Sequence, residues 1–138
     1  MKNRTRLILS ILIWSLFVSS ANAVAGVVAI VNKANTYADK KTIGRLYTLE
    51  IKAWPDGSRA ILYESSSESV RNEFCNTYTG KSADIIETDL AKAVFVGRSK
   101  PHKIFKSDAD IVEEVSKEKD AVGYVNESSL KDSVRAVR

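Results

Sequence analysis

The stretch ESSSESVRNEF, from Glu64 to Phe74, gathers groups able to hold an anion. Ser65, Ser66, Ser67 and Ser69 bring hydroxyls, and Arg71 brings a planar guanidinium that can meet an oxyanion with two parallel hydrogen bonds. If a helix starts here, its first N–H groups lack intrahelical partners and its dipole favours negative charge. The same residues also have a plainer reading, because serine is a common N-cap and the cluster could cap a helix while Arg71 faces water. Glu68 weighs against an anion. Two like charges about 4 Å apart repel by roughly 4 kcal/mol at an effective dielectric of about 20, unless Glu68 turns back onto the helix start.

The surrounding pattern decides that this is a junction and not a flexible tether. Ser65 and Glu68 fit an S-x-x-E capping box, and Val70, Phe74, Thr77 and Tyr78 follow as a helical stripe ended by Gly80. Upstream, Val24 to Asn32 is a β-branched run with the length of a buried strand. Asp39 or Thr42 is placed to cap a short helix carrying Ile43, Leu46 and Tyr47. Ala53 to Gly57, AWPDG, is turn chemistry, and Arg59 to Glu64 reads as a second strand. Downstream, Ser82 caps a helix whose Ile86, Leu90, Ala93 and Val94 share one face before Gly97. Gly97 to Lys106 is a basic segment ending in a short apolar element. Ser107 and Asp110 form another capping box, opening a helix with Ile111, Val112 and Val115 inward. Ala121 to Glu127 reads as a strand, Ser128 starts a helical turn, and SVRAVR closes the chain as an edge strand. Alternating strands and helices without repeats predict an α/β domain.

The amino terminus reads as an export signal. A cationic MKNRTR precedes the apolar run Leu7 to Val18, and Ala21-Asn22-Ala23 supplies the small-x-small cleavage pattern. Cleavage after Ala23 leaves 115 of the 138 residues, the size of one domain, with no stable membrane span expected. The leader holds Lys2, Arg4 and Arg6 and no acid, so its removal lowers the net charge from +4 to +1 and takes away the case for nucleic acid. The lone Cys75 cannot form an internal bridge and reads as a buried thiol. A soluble periplasmic product is expected.

Other candidates for chemistry lack parts. Arg98, Lys100, His102, Lys103 and Lys106 surround Pro101 as a basic run, either a solvated face or a meeting place for an anion or acidic partner. His102 is the only histidine, so neither a zinc site nor a Ser-His-Asp triad can be assembled. Trp54, Tyr47 and Tyr124 read as packing residues. No catalytic residue, metal or cofactor is implied, and the reading is of a protein that is not an enzyme.

These pieces together resemble the periplasmic phosphate-binding proteins of ABC transporters. VVAIVN, then TIGRLYTLEIKAWPDGS, resembles that family's strand ending in Val-Asn, its helix with an aromatic near the end, and its Trp-containing turn. ESSSESVRNEF falls where the family has a Ser-Gly-Ser-Gly-Thr loop before a helix carrying Arg and then Phe, and KDAVGYVN resembles the family's Gly-Ala-Ile-Gly-Tyr-Val strand. Anchored on Arg71 and Phe74, Ser66 matches a family serine. Ser67 and Ser69 stand in place of glycines, Glu68 of a serine and Val70 of the threonine. The resemblance implies a single lobe of a type II periplasmic-binding-protein-like fold, with a central mixed sheet flanked by helices. It implies an oxyanion site at Ser65, Ser66, Ser67, Ser69 and Arg71, holding phosphate or a relative. An ABC permease or a periplasmic sensor protein would read the occupied state. The alternative is a lobe that has lost its ligand and docks a second copy, as a homodimer, or an envelope or sensor protein.

Overall fold

The computed structural model describes residues 26–138. The expected leader, its cleavage site and the first two residues of the first expected strand lie outside the described residues.

Five strands form one mixed sheet in the order β3-β2-β4-β1-β5. The interior strand β1 (Val27–Asn32) is antiparallel to both β4 (Ala121–Asn126) and β5 (Val134–Val137), while β2 (Ile61–Ser65) runs parallel to the central β4 and to β3 (Lys103–Phe105). The continuous apolar run of β1 has the composition of a strand covered on both faces, and it is so covered. Val27, Ala29 and Val31 join a core with α1 (Lys40–Tyr47) and α2 (Glu68–Phe74), whereas Val28 and Ile30 face α4 (Asp108–Lys117). The α/β expectation holds, with helices on both faces of the sheet.

Local chemistry fixes the elements. The Asp39 carboxylate accepts the Thr42 N–H at 2.6 Å to start α1, and the Ser107 hydroxyl accepts from Asp110 to start α4. Asp108 Oδ2 then accepts from the Asn126 backbone, the Asn126 side chain and the Ser129 hydroxyl, which ties the start of α4 to the end of β4. Two glycines permit close layers. A Cβ on Gly44 would lie 2.2 Å from the Tyr78 carbonyl, and one on Gly123 would lie 2.6 Å from Ile111. Trp54 is buried in the turn and its indole N–H donates to the Asp120 carbonyl.

Three expectations change. The strand read as Arg59 to Glu64 is shifted to Ile61–Ser65, because Arg59 instead bridges Ala53 across the AWPDG turn. The stripe after the serines keeps Val70, Phe74 and Tyr78 buried but leaves Thr77 exposed. Cys75–Thr79 is a π-helical turn, whose wider winding moves Thr77 off the inner face while Cys75 is buried. On α3 (Ala83–Phe95), Ala83 and Ile86 are buried against the core, while Leu90, Ala93 and Val94 are only half-buried, since no layer covers that flank.

Candidate functional site

The serine cluster sits where β2 ends and α2 begins. Ser65 still belongs to the sheet: it is 4 % exposed, its N–H points to the Tyr124 hydroxyl, and its hydroxyl accepts the Ser67 N–H at 3.1 Å. Ser66 donates its N–H to the Phe105 carbonyl, carrying the β2–β3 pairing one residue further. The N-cap is therefore Ser67, whose hydroxyl accepts from Val70. The capping box read at Ser65 and Glu68 does not form, because the strand holds Ser65 extended and internally bonded and Val70 stands three residues after the cap Ser67. Glu68 becomes the first helical residue, exposed and near the positive end of the helix dipole.

Of the five expected site residues, Ser66, Ser67 and Ser69 present exposed hydroxyls, with those of Ser67 and Ser69 3.2 Å apart. The first-turn N–H groups of Glu68 and Ser69 lie ahead of the one that the cap reaches. Arg71 turns the other way. Its Nη2 donates to the Ser65 carbonyl at 3.0 Å, its Nη1 lies 3.5 Å from Glu87, and its Nε is enclosed without a partner. The guanidinium thus braces the loop from beneath and does not join the hydroxyls above it.

Beneath the loop lies a polar cluster that the sequence did not disclose. The Glu64 carboxylate accepts from the Tyr124 hydroxyl at 2.5 Å and lies 2.9 Å from His102 Nδ1, with the His102 and Glu64 side chains 10 % and 13 % exposed. Tyr124 stacks on Phe74 with centroids 4.0 Å apart, and Tyr47 meets the edge of the same ring. Burial, and then the Glu64 charge, push the Tyr124 phenol far above its ordinary value, and Tyr47 is raised for the same reasons. Burial and the Glu64 charge also push the Cys75 thiol up to about 11, so it stays protonated and is a poor nucleophile at neutral pH. Tyr47, Tyr124 and Trp54 are packing residues, as read. His102 departs from the basic run around it and is drawn in to Glu64. The pair is separated by 38 positions in the chain, and no local pattern signals such a contact.

The segment from Ser99 to Lys103 separates two concavities. One, of about 470 Å³, runs along Leu46, Ile51 and Leu62; the other, of about 450 Å³, lies between α3 and Pro101–Ile104, with Glu64, Arg71 and Cys75 at its floor. Neither has Ser66, Ser67 or Ser69 in its walls, so the serine hydroxyls stand on an open surface.

No family model and no curated protein matches this chain in sequence. Solved structures do match in shape. A Clostridium perfringens protein described as a phosphate ABC transporter substrate-binding protein, solved with phosphate bound, aligns at a TM-score of 0.62 and 22 % identity over 82 % of this chain and 44 % of its own. A Planctomyces limnophilus protein described as phosphate-binding aligns at 0.59 and 15 % identity, over 82 % and 40 %. An ABC-type phosphate transport receptor of Vibrio cholerae aligns at 0.53 and 16 %, over 82 % and 45 %. The fold is one lobe of a periplasmic-binding-protein-like structure. This chain spans less than half the length of the solved chains that it matches. Among the described residues, no helix is long and apolar enough to cross a membrane.

Proposed function

We propose that the protein is an exported, non-enzymatic solute-binding lobe that holds phosphate or a related oxyanion at the start of α2. Ser66, Ser67 and Ser69 would supply hydroxyls, and Glu68 and Ser69 the first-turn N–H groups. Ser65 and Arg71 would keep the loop in shape from below. The observation that carries this reading is the exposed, serine-capped helix start at the carboxyl end of parallel strand β2, in a fold shared with phosphate-binding proteins. Glu68 projects from the first helical position into water, where solvent screens it from a bound anion. In this reading the leader directs the chain to the periplasm, is cleaved after Ala23, and an ABC permease or sensor protein reads the occupied lobe.

A second reading is favoured by the openness of the hydroxyls, which line neither concavity. In it the lobe binds no solute and docks an envelope or sensor protein. A thermal melt separates the two, comparing phosphate, sulfate and chloride at matched ionic strength. At about 100 times the dissociation constant, phosphate would add roughly 2.7 kcal/mol. That raises the midpoint by about 10 °C for a domain of this size. The Ser66→Ala and Ser69→Ala variant, altered only at exposed positions, should lose this rise. A melt indifferent to phosphate supports the docking reading instead.

A further inference from the structure

Among the described residues, the concavity of about 470 Å³ opens where the sheet is incomplete. β3 pairs with β2 only from Tyr63 onward, so Ile61 and Leu62 have β4 on one side and no strand on the other. The end of α1 and the Ser99–Lys103 segment form the banks of this gap. Its floor is apolar, with Leu46 buried and Leu49, Ile51 and Leu62 half-buried. Leu49 stands at φ 63°, a left-handed conformation that glycine takes without steric cost, so a strained leucine is kept where it lines this wall. The charged residues in the walls apart from His102 are all cations. Lys52, Arg59, Lys100 and Lys103 line it, with no aspartate or glutamate beside them. None of the four is in an ion pair among the described residues. Lys52 donates to the Arg98 carbonyl, and the Lys103 ammonium lies 4.8 Å from the centre of the Phe105 ring. The acids close by in the chain are engaged elsewhere: Glu50 with Arg45, Asp56 with Ser58, and Glu64 with His102 and Tyr124. A cleft walled by one sign of charge gathers the opposite sign, and an apolar floor under a cationic rim matches a molecule with an apolar body and an anionic end.

We propose that this concavity binds a small organic anion, whose aromatic or aliphatic body covers Leu46, Leu49 and Leu62 while its carboxylate, sulfonate or phosphate group meets Arg59 and the lysines. The site lies at the amino end of β2, whereas Ser66, Ser67 and Ser69 follow its carboxyl end, so it is independent of any oxyanion at α2. Three probes that share one apolar body test it: naphthalene sulfonate, the neutral naphthalenemethanol and the cationic naphthylmethylammonium. Each is titrated into the isotope-labelled protein and followed by backbone amide shifts. The expected result is saturable binding of the sulfonate with shifts at Leu46, Leu49 and Leu62, about tenfold tighter than the alcohol, with the ammonium weakest. Added salt should weaken the sulfonate and leave the alcohol unchanged. The Arg59→Ser and Lys103→Ser variant, altered only at exposed positions, should keep the wild-type circular dichroism, bind the sulfonate about fivefold more weakly or worse, and bind the alcohol as before. Equal binding of the three probes overturns the proposal, as does a sulfonate affinity indifferent to the double substitution. Sulfonate shifts confined to α3 or to the serine loop overturn it too, as does the lack of any saturable response at millimolar probe.

Discussion

α3 and α4 begin alike and end differently. Each is started by a serine whose hydroxyl accepts a first-turn N–H, and each carries an apolar stripe at helical spacing. The stripe of α4, Ile111, Val112 and Val115, is buried against β4 and β1. That of α3 is anchored by Ala83 and Ile86 and then runs half-exposed past the groove. Caps and periodicity specify a helix and its apolar side, but what covers that side depends on layers far away in the chain. The molecule is finished on the α4 face and open along α3.

The difference should appear most strongly in truncations. Ile111→Ala on α4 should cost about 2–5 kcal/mol, as fully buried aliphatic truncations do, while Leu90→Ala on α3 should cost under about 1 kcal/mol. Urea unfolding of both variants measures the contrast, and equal losses would show that α3 is as deeply packed as α4. Next comes the polar cluster around Glu64. Tyr124→Phe removes the donor to Glu64 and the acceptor of the Ser65 N–H, with an expected loss of about 1–3 kcal/mol in the same assay.

The caps test whether the two helices start with equal strength. Ser107→Ala and Ser82→Ala should each cost about 1 kcal/mol, although the helices they begin are so differently covered. The smallest and most gradual effect is on the alkaline side. Cys75 has its thiol raised from an ordinary 9.0 to about 11, and a raised acid leaves the native state holding a proton that the unfolded state has lost. Its contribution is complete below pH 9 and fades as pH climbs to about 11. Cys75→Ala should therefore flatten the fall in stability over that window, measured by denaturant midpoints at successive pH values.

Much of the fold was legible because its signals are local. VVAIVN had to be a doubly covered strand, Ser82 and Ser107 had to be caps, and SVRAVR lies at the sheet edge as its position suggested. At the candidate site the same local logic misplaced one element. Ser65 satisfies a capping pattern in sequence, yet pairing with β3 and a bond to the Tyr124 hydroxyl keep it extended, and Ser67 takes the role. By sequence alone Arg71 fits a ligand partner or a solvated side chain. It is instead half-buried against the Ser65 carbonyl and Glu87, a position set by where α3 crosses. The Glu64–His102–Tyr124 cluster needs β2, β4 and the residue just before β3 brought side by side and has no signature along the chain.

The start of α2 is the centre of this account, and backbone amide spectra of the isotope-labelled protein during a phosphate titration examine it directly. Saturable, phosphate-selective shifts centred on Ser66 to Val70, absent with sulfate and lost in the Ser66→Ala and Ser69→Ala variant, are the predicted result. Amides that do not respond there, or that respond only in the basic segment from Arg98 to Lys106, would contradict it.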